Sequence, residues 1–402
     1  MAPLRLEMKV GLYNRWLPAI AGGERHALAL AEVLSQKHSV EVLTHRQVDR
    51  ADLEDKLRLN LSRITVRLIP DLPEPELSRF TADYDLFVNA SDRPFIRCRA
   101  PKGLLLTYFP IPVVLSPWAR CKRWIGLWLN QYSHYPLYRL LFEKWFSGWG
   151  QRLRSIPATL SLADLDTYDL ICANSQFTRS WVERYWQRDS EVFYPPVEVE
   201  AFRPLPKCNH ILNVGRFVAG VTDKKHTVMI QTFRQLVEQG LTGWELHMAG
   251  GTRLEPVHQA YLKRIQAAAT GYPIHFHLDV PFDELVQLYG HSAIYWHASG
   301  YGADERREPF RFEHFGLSTV EAMAAGCVPV VIGRGGQTEI VQHDRDGFLW
   351  LTLDELRRYT LQLIHDGELR QSLSRRAMAR SRAFDRTAFA EAVARLLARI
   401  GL

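Results

Sequence analysis

The stretch that decides the fold is FEHFGLSTVEAMAAG, which spans residues 312–326. Its pattern predicts a helix near Leu317–Ala325, and the apolar run Val328–Ile332 that follows predicts a strand. Two glutamates, Glu313 and Glu321, stand eight positions apart. At about 100° per residue they could share a broad helical side, whereas a helix that begins after Glu313 leaves it in the preceding loop.

This local pattern suits the binding of a phosphorylated sugar. Gly316 lets the backbone approach a ligand, and the free N–H groups of the first helical turn form a ready phosphate site. The carboxylates of Glu313 and Glu321 could then accept hydrogen bonds from sugar hydroxyls on either side. The alternative is structural: Glu313 faces solvent and Glu321 sits in an ion pair, as surface carboxylates usually do.

Strands and helices alternate on both sides of this stretch, which is typical of parallel, doubly wound α/β sheets. The strands predicted before residue 200 are Met8–Tyr13, Ser39–Leu43, Ile64–Ile69, Leu86–Asn89, Gly103–Tyr108 and Asp169–Ala173, with a helix over Glu24–Gln36. The strands predicted after it are Ile211–Val214, Glu245–Ala249, His275–Leu278, Ile294–His297 and Val328–Ile332, with helices near Val228–Gln239 and Val257–Ala269.

Residues 312–326 resemble the signature of the retaining GT-B glycosyltransferases of family 4 (group 1), in which seven residues separate two glutamates in the pattern E-x-F-G-…-E-A-M-A-x-G. Further matches are Gly22–Arg25, Asn174–Thr178, Pro195–Val197, Val214–Arg216, Gly335–Val341 and Asp346-Gly347. The resemblance covers most of the chain except residues 50–85 and 100–165. It implies two Rossmann-like domains that face each other across a cleft, with a C-terminal helix returning to the N-terminal domain.

The resemblance and the proline-rich connection at Pro195-Pro196 divide the chain into three parts. Residues 1–200 are expected to form an N-terminal, Rossmann-like acceptor domain with an aromatic and basic insert near residues 109–155. Residues 201–380 are expected to form a Rossmann-like nucleotide-sugar domain, and residues 381–402 a C-terminal helix.

The resemblance also implies a set of site residues. The implied catalytic residues are Glu313, Arg216 and Lys224. The implied donor-binding residues are Gly22, Gly23, Arg216, Lys224, Phe315, Gly316, Leu317 and Glu321. In this assignment two cations grip the donor diphosphate, Glu321 holds the ribose, Glu313 holds the transferred sugar, and backbone N–H groups cradle phosphate.

Two positions depart from the family pattern. Lys224 follows Arg216 by eight residues, where relatives have about five, and it is preferred to Lys225 because it keeps the usual distance to Phe233. The alternative is that both lysines are simply solvated. Tyr108 stands near the strand end where many relatives carry a histidine close to the sugar.

The resemblance implies a hexosyltransferase (EC 2.4 class) that acts with retention, by front-face substitution, in glycan or polysaccharide assembly. The sequence Glu313–Gly316 resembles the same motif in family members that use GDP-mannose. GDP-mannose is therefore the first expectation for the donor, and UDP-sugars are the second. A saccharide or a lipid-linked sugar is expected as the acceptor. The alternative is a catalytically silent GT-B scaffold or regulator that binds a nucleotide or glycan.

Composition narrows the class of protein. The chain has 402 residues, 47% of them hydrophobic. Its net charge of +6 suits an anionic ligand, a membrane surface or nucleic acid, and the alternative is an ordinary excess of surface arginine. Its five cysteines form no CxxC pair, which argues against a disulfide framework and favours a reducing compartment. Charges at Arg5, Glu7 and Lys9 interrupt any apolar leader, so we expect no signal peptide and a cytoplasmic location.

Residues 118–149 are rich in tryptophan, tyrosine and basic side chains. They could lie on the cytoplasmic face of a membrane, or they could pack against the N-terminal domain or line the acceptor groove. No recognised nucleic-acid-binding module is present. Asp164–Asp166 and Asp344–Asp346 have a D-x-D spacing but no ligand-like context, so no metal and no other cofactor is expected.

Overall fold

The computed structural model describes residues 7–17, 21–91, 96–112, 162–220 and 223–402. Residues 118–149 lie outside these ranges, so both interpretations of that segment stay predictions. None of the helices in the described ranges is both long enough and apolar enough to cross a membrane.

The first half of the chain forms a parallel seven-stranded sheet in the order β3-β2-β1-β4-β5-β6-β7. Its strands are β1 (Lys9–Tyr13), β2 (Ser39–Thr44), β3 (Ile64–Leu68), β4 (Leu86–Asn89), β5 (Lys102–Thr107), β6 (Leu170–Ala173) and β7 (Glu191–Val192). Its helices are α1 (Gly22–Leu34), α2 (Arg50–Leu57), α3 (Glu74–Phe80), α4 (Leu162–Leu165) and α5 (Gln176–Trp186).

The second half forms a parallel six-stranded sheet in the order β10-β9-β8-β11-β12-β13. Its strands are β8 (His210–Val214), β9 (Glu245–Gly250), β10 (Ile274–Leu278), β11 (Ile294–His297), β12 (Val328–Ile332) and β13 (Phe348–Trp350). Its helices are α6 (His226–Glu238), α7 (Pro256–Ala269), α8 (Phe282–His291), α9 (Leu317–Ala324), α10 (Gln337–Ile340), α11 (Leu353–His365) and α12 (Gly367–Ser381).

The last helix, α13 (Arg386–Arg399), packs on the first half of the chain. Phe389, Val393 and Leu396 are buried in the same core as β1, β2 and α1. The carboxylate of Asp385 caps this helix by accepting a hydrogen bond from the backbone N–H of Ala388 at 2.8 Å. The expected return of the C-terminal helix to the N-terminal domain is therefore confirmed.

The chain passes between the two cores twice. Phe193 lies in the first core, whereas Val197 and Phe384 lie in the second and Phe389 in the first. The two passages touch, because the backbone N–H of Val197 donates to the carbonyl of Phe384 at 2.8 Å. The domain boundaries expected at residues 200 and 380 stay predictions.

The order of the strands locates the site. In each sheet the order reverses beside the first strand, between β1 and β4 in one and between β8 and β11 in the other. Parallel sheets of this kind bind ligands outside the carboxyl ends of the strands at such a reversal. The expected α/β fold with two Rossmann-like halves is confirmed, and its geometry directs attention to the loops after β1, β5, β8 and β11.

Candidate functional site

A partly buried ion pair lies outside the carboxyl ends of the second sheet. The ammonium of Lys224 donates to Oε2 of Glu313 at 2.5 Å, and Nε2 of His297 donates to the same oxygen at 3.1 Å. Burial alone would raise the pKa of Glu313, but the charge of Lys224 and the hydrogen bond from His297 outweigh it and hold that pKa well below its usual range. Glu313 is thus ionised and fixed in position by two donors.

The elements around this pair explain its position. Lys224 lies in the loop between β8 and α6, and His297 is the last residue of β11. A Cβ on Gly215 would lie 2.9 Å from Cγ of Lys224, so the glycine leaves room for the lysine to pass. Glu313 precedes the helix, which begins at Leu317, so the loop alternative for this carboxylate is the one observed.

Gly316 shapes the start of α9. Its φ of 126° is disfavoured for other residues, and a Cβ there would lie 2.5 Å from Nε2 of Gln337. Phe315 is buried beneath the turn, and Leu317 opens the helix. The first-turn N–H groups therefore stand where a phosphate could accept their hydrogen bonds.

Glu321 lies one turn into α9 and is held by residues from both halves of the chain. The hydroxyl of Tyr289 donates to its Oε2 at 2.9 Å, and the guanidinium of Arg25 lies 3.6 Å from its Oε1. Burial raises the pKa of Glu321, and the charge of Arg25 opposes that rise. Because Arg25 belongs to α1, this ion pair crosses the cleft.

The sequence resemblance indicated a glycine loop at Gly22 and Gly23, but these residues form the first turn of α1, which approaches α9 from the opposite side. A Cβ on Gly22 would lie 2.9 Å from Cδ1 of Leu317, so only glycine allows this spacing without movement. The hydroxyl of Tyr108 donates to the carbonyl of Gly23 at 2.6 Å. Tyr108, at the position where the sequence resemblance led us to expect a histidine, thus supports the first turn of α1.

Arg216 follows β8 and its side chain is exposed. Within the described ranges no hydrogen bond or ion pair joins its guanidinium to another residue, so it is available to an anionic ligand. The structure therefore brings Lys224, Glu313, Glu321 and the first turn of α1 at Gly22 to one cleft, with Arg216 beside it.

A second carboxylate crosses the cleft further along. Glu339 in α10 accepts hydrogen bonds from the backbone N–H groups of Gln176 at 2.7 Å and Phe177 at 3.2 Å. These are the first two residues of α5, whose orphan donors and positive helix end favour a negative partner.

We expect Glu339→Ala to lower the free energy of unfolding by about 0.5–2 kcal/mol, the usual cost of losing a helix cap. Urea denaturation followed by circular dichroism measures this. The control is Glu200→Ala, because the Glu200 side chain is 75% exposed. Equal stability of the two variants would contradict the capping role.

An apolar cavity of about 400 Å³ adjoins the cleft. It is lined by Trp16, Phe109, Pro110, Ile111, Pro112, Tyr185 and Phe310. The ring of Phe109 stacks on His314, with centroids 4.5 Å apart, so the cavity opens next to the Glu313 loop. Burial lowers the pKa of His314 to about 4, which keeps its ring neutral.

Sequence analysis did not assign Arg25, Tyr289, His297 or Glu339 to the site. His297 could have been predicted from the sequence, because a polar residue at the carboxyl end of a buried strand faces the ligand-binding edge of a parallel sheet. Arg25 and Glu339 lie in motifs that were recognised, but their partners are 296 and 163 positions away in the chain.

Comparison with known proteins adds an independent line of evidence. A sequence model of the family described as glycosyl transferases group 1 matches residues 200–380. Two curated relatives are named GDP-Man:Man(3)GlcNAc(2)-PP-Dol alpha-1,2-mannosyltransferase. The Dictyostelium discoideum protein is 25% identical over 48% of this chain and 40% of its own length. The Xenopus laevis protein is 28% identical over 46% of this chain and 39% of its own length. The chain thus spans about 40% of the length of the curated relatives it matches.

Solved structures match nearly the whole chain. Anabaena Alr3699/HepE in complex with UDP aligns with a TM-score of 0.68 at 17% identity, over 97% of this chain and 99% of that chain. WaaG, a glycosyltransferase involved in lipopolysaccharide biosynthesis, aligns with a TM-score of 0.57 at 13% identity, over 96% and 99%. At these identities the likeness shows the fold.

Proposed function

We propose that this chain transfers a hexose from a nucleoside-diphosphate sugar to an acceptor, with retention at the anomeric carbon, because a sequence model of the group 1 glycosyl transferases matches residues 200–380. The observation that supports this best is the ionised Glu313, held by Lys224 and His297 beside the start of α9. A nucleotide-sugar carries the hydroxyls and the charged diphosphate that these groups are suited to bind.

In this proposal the donor lies along α9. Arg216, Lys224 and the first-turn N–H groups at Phe315, Gly316 and Leu317 hold the diphosphate and stabilise the negative charge that it gains as it leaves. Gly22 and Gly23 close over the same group from the other side of the cleft, where Gly22 already approaches Leu317.

The two glutamates bind the two sugar rings of the donor. Glu321 binds the ribose hydroxyls once its ion pair with Arg25 has separated. The hydrogen bond from Tyr289 holds the carboxylate in position for this role. Glu313 orients the transferred sugar. With retention by front-face substitution, a diphosphate oxygen accepts the proton of the attacking hydroxyl, and no protein general base is assigned.

GDP-mannose is the first candidate for the donor, because the two curated relatives described above are named for GDP-Man. A UDP-sugar is the second, because the Anabaena neighbour is solved with UDP. We propose a saccharide or lipid-linked acceptor, for which the apolar cavity beside Phe109 offers a surface. Residues 118–149 would then bring the chain to the cytoplasmic face of a membrane as a peripheral protein.

The first test is a thermal-shift screen with GDP, UDP, ADP and dTDP. A nucleotide at 100 times its Kd should stabilise the fold by about 2.7 kcal/mol. Glu321→Ala should lose most of that shift, because the ribose loses its carboxylate partner. The control Glu368→Ala changes an exposed glutamate in α12 and should keep the shift. Absence of a shift with every nucleotide, or a full shift in Glu321→Ala, would overturn the donor site.

A measurement of nucleoside diphosphate release then distinguishes an active transferase from a catalytically silent scaffold. The sugar conjugates of the nucleotide that shifts the transition are incubated with the protein and candidate acceptors, and free nucleoside diphosphate is measured over time. Sustained release with an acceptor supports the transferase. Binding without any release, across sugar conjugates and acceptors, would favour the silent GT-B scaffold.

A further inference from the structure

A cluster of histidines lies at the other end of the second sheet from the donor cleft. His210 is the first residue of β8 and pairs in register with Glu245, the first residue of β9. His247 in β9 pairs with His275 in β10. Residues two apart in a strand share a face, so Glu245 and His247 lie on the same face of the sheet as His210 and His275, with which they pair. Arg216, by contrast, follows the carboxyl end of β8.

The nitrogen atoms of this cluster converge on one carboxylate. Oε2 of Glu245 lies 3.1 Å from Nε2 of His247, 3.3 Å from Nε2 of His275 and 3.7 Å from Nε2 of His210. The ligand atoms of His210, Glu245 and His247 all lie within 4.8 Å of one another. Three imidazoles from three adjacent strands therefore surround a single oxygen.

The three rings pack closely. The ring centroids of His210 and His247 are 4.1 Å apart, and those of His247 and His275 are 5.0 Å apart. Neutral imidazole is the form that binds metal ions, and imidazole with carboxylate is a donor set suited to zinc, copper and nickel.

The distances from Oε2 of Glu245 to the three imidazole nitrogens are close to the spacing between ligands of a tetrahedral site. Metal–ligand bonds of about 2.0–2.2 Å place ligand atoms about 3.3 Å apart, near the distances around Glu245. His277 supports the arrangement, because its Nε2 lies 2.9 Å from Nδ1 of His247 and can fix the orientation and tautomer of that ring. The His275 side chain is 49% exposed, which gives an ion a path to the site.

We propose that His210, Glu245, His247 and His275 bind one divalent transition-metal ion, zinc before others, which ties β8, β9 and β10 together. The role is structural, because the cluster lies at the amino ends of the strands while the donor cleft lies at their carboxyl ends. β10 is the edge strand of its sheet, so an ion here would fasten the strand that has a neighbour on one side only. The proposal is independent of the donor and acceptor assignments.

Calorimetric titration of the EDTA-treated full chain with zinc chloride tests the site. We expect one zinc per chain and a higher unfolding temperature with zinc. Magnesium and calcium should give neither effect, because these ions prefer all-oxygen sites. His247→Ala should weaken zinc binding at least about tenfold, since loss of even an outer-shell partner costs that much.

Two further variants keep the result interpretable. His275→Ala removes a half-exposed ligand and should weaken zinc binding even if His247→Ala folds poorly. His365→Ala changes an exposed histidine at the end of α11 and should bind zinc like the unchanged chain. Cobalt in place of zinc should give the visible absorption of a tetrahedral site, lost in His275→Ala. Absence of zinc binding, or zinc binding by His247→Ala and His275→Ala that equals that of the unchanged chain, would overturn the proposal.

Discussion

Lys224→Ala should lower kcat for sugar transfer by about 100- to 1,000-fold, the usual loss when one preorganised group that stabilises developing charge is removed. The ammonium of Lys224 lies 2.5 Å from Oε2 of Glu313, so it is already positioned before a donor binds. When the diphosphate leaves, this cation stabilises the new charge without having to move. The measurement is the rate of nucleoside diphosphate release at saturating donor and acceptor.

Lys225→Ala is the matched control, because the adjacent lysine has the same charge and no ion pair within the described ranges. It should retain most of the activity. A larger loss of activity in Lys225→Ala than in Lys224→Ala would indicate that Lys225 binds the diphosphate instead. Full activity of both variants would show that neither lysine binds it.

The pH dependence gives a second readout on Lys224→Ala. The charge of Lys224 is the leading influence that lowers the pKa of Glu313 against the opposing effect of burial. Without it the pKa of Glu313 rises, so the variant should lose activity at a higher pH on the acid side than the unchanged protein. An unshifted acid limb would show that Glu313 ionisation does not limit the reaction.

The second large effect is on stability. Phe389→Ala should lower the free energy of unfolding by about 3–5 kcal/mol, which is the usual cost of deleting a buried phenylalanine ring. Phe389 is 4% exposed and stacks on Phe193 at a centroid distance of 4.8 Å. Urea denaturation gives the change, and Arg395→Ala on the same helix is the control because that side chain is 70% exposed. A loss no larger than that of the control would show that α13 does not stabilise the first core.

Sequence patterns predicted the backbone around the site closely. Val328–Ile332 was predicted as a strand and is one, because a short apolar run buried on both faces is typical of a parallel sheet. The helix expected near Leu317–Ala325 is α9, and glycine at its start correctly indicated a special backbone conformation. Local patterns are enough here because a run of apolar residues and the position of a glycine are both visible in consecutive residues of the sequence.

Other features could not be predicted in this way. The Arg25–Glu321 pair and the cap from Glu339 join residues that are far apart in the chain, and they depend on how two sheets face each other. The histidine cluster depends on the register of three strands, in which a shift by one residue would turn each side chain to the other face. Tyr108 is similar: its support of Gly23 follows from a contact and not from a pattern.

We expect the two passages of chain between the cores to act as a double hinge. They lie side by side, since the backbone N–H of Val197 donates to the carbonyl of Phe384 at 2.8 Å, and Arg386 at the second passage forms an ion pair with Glu198 at the first. A body held at two adjacent points rotates most easily about the axis that runs through both. A small turn about this axis would widen the cleft most at its far rim.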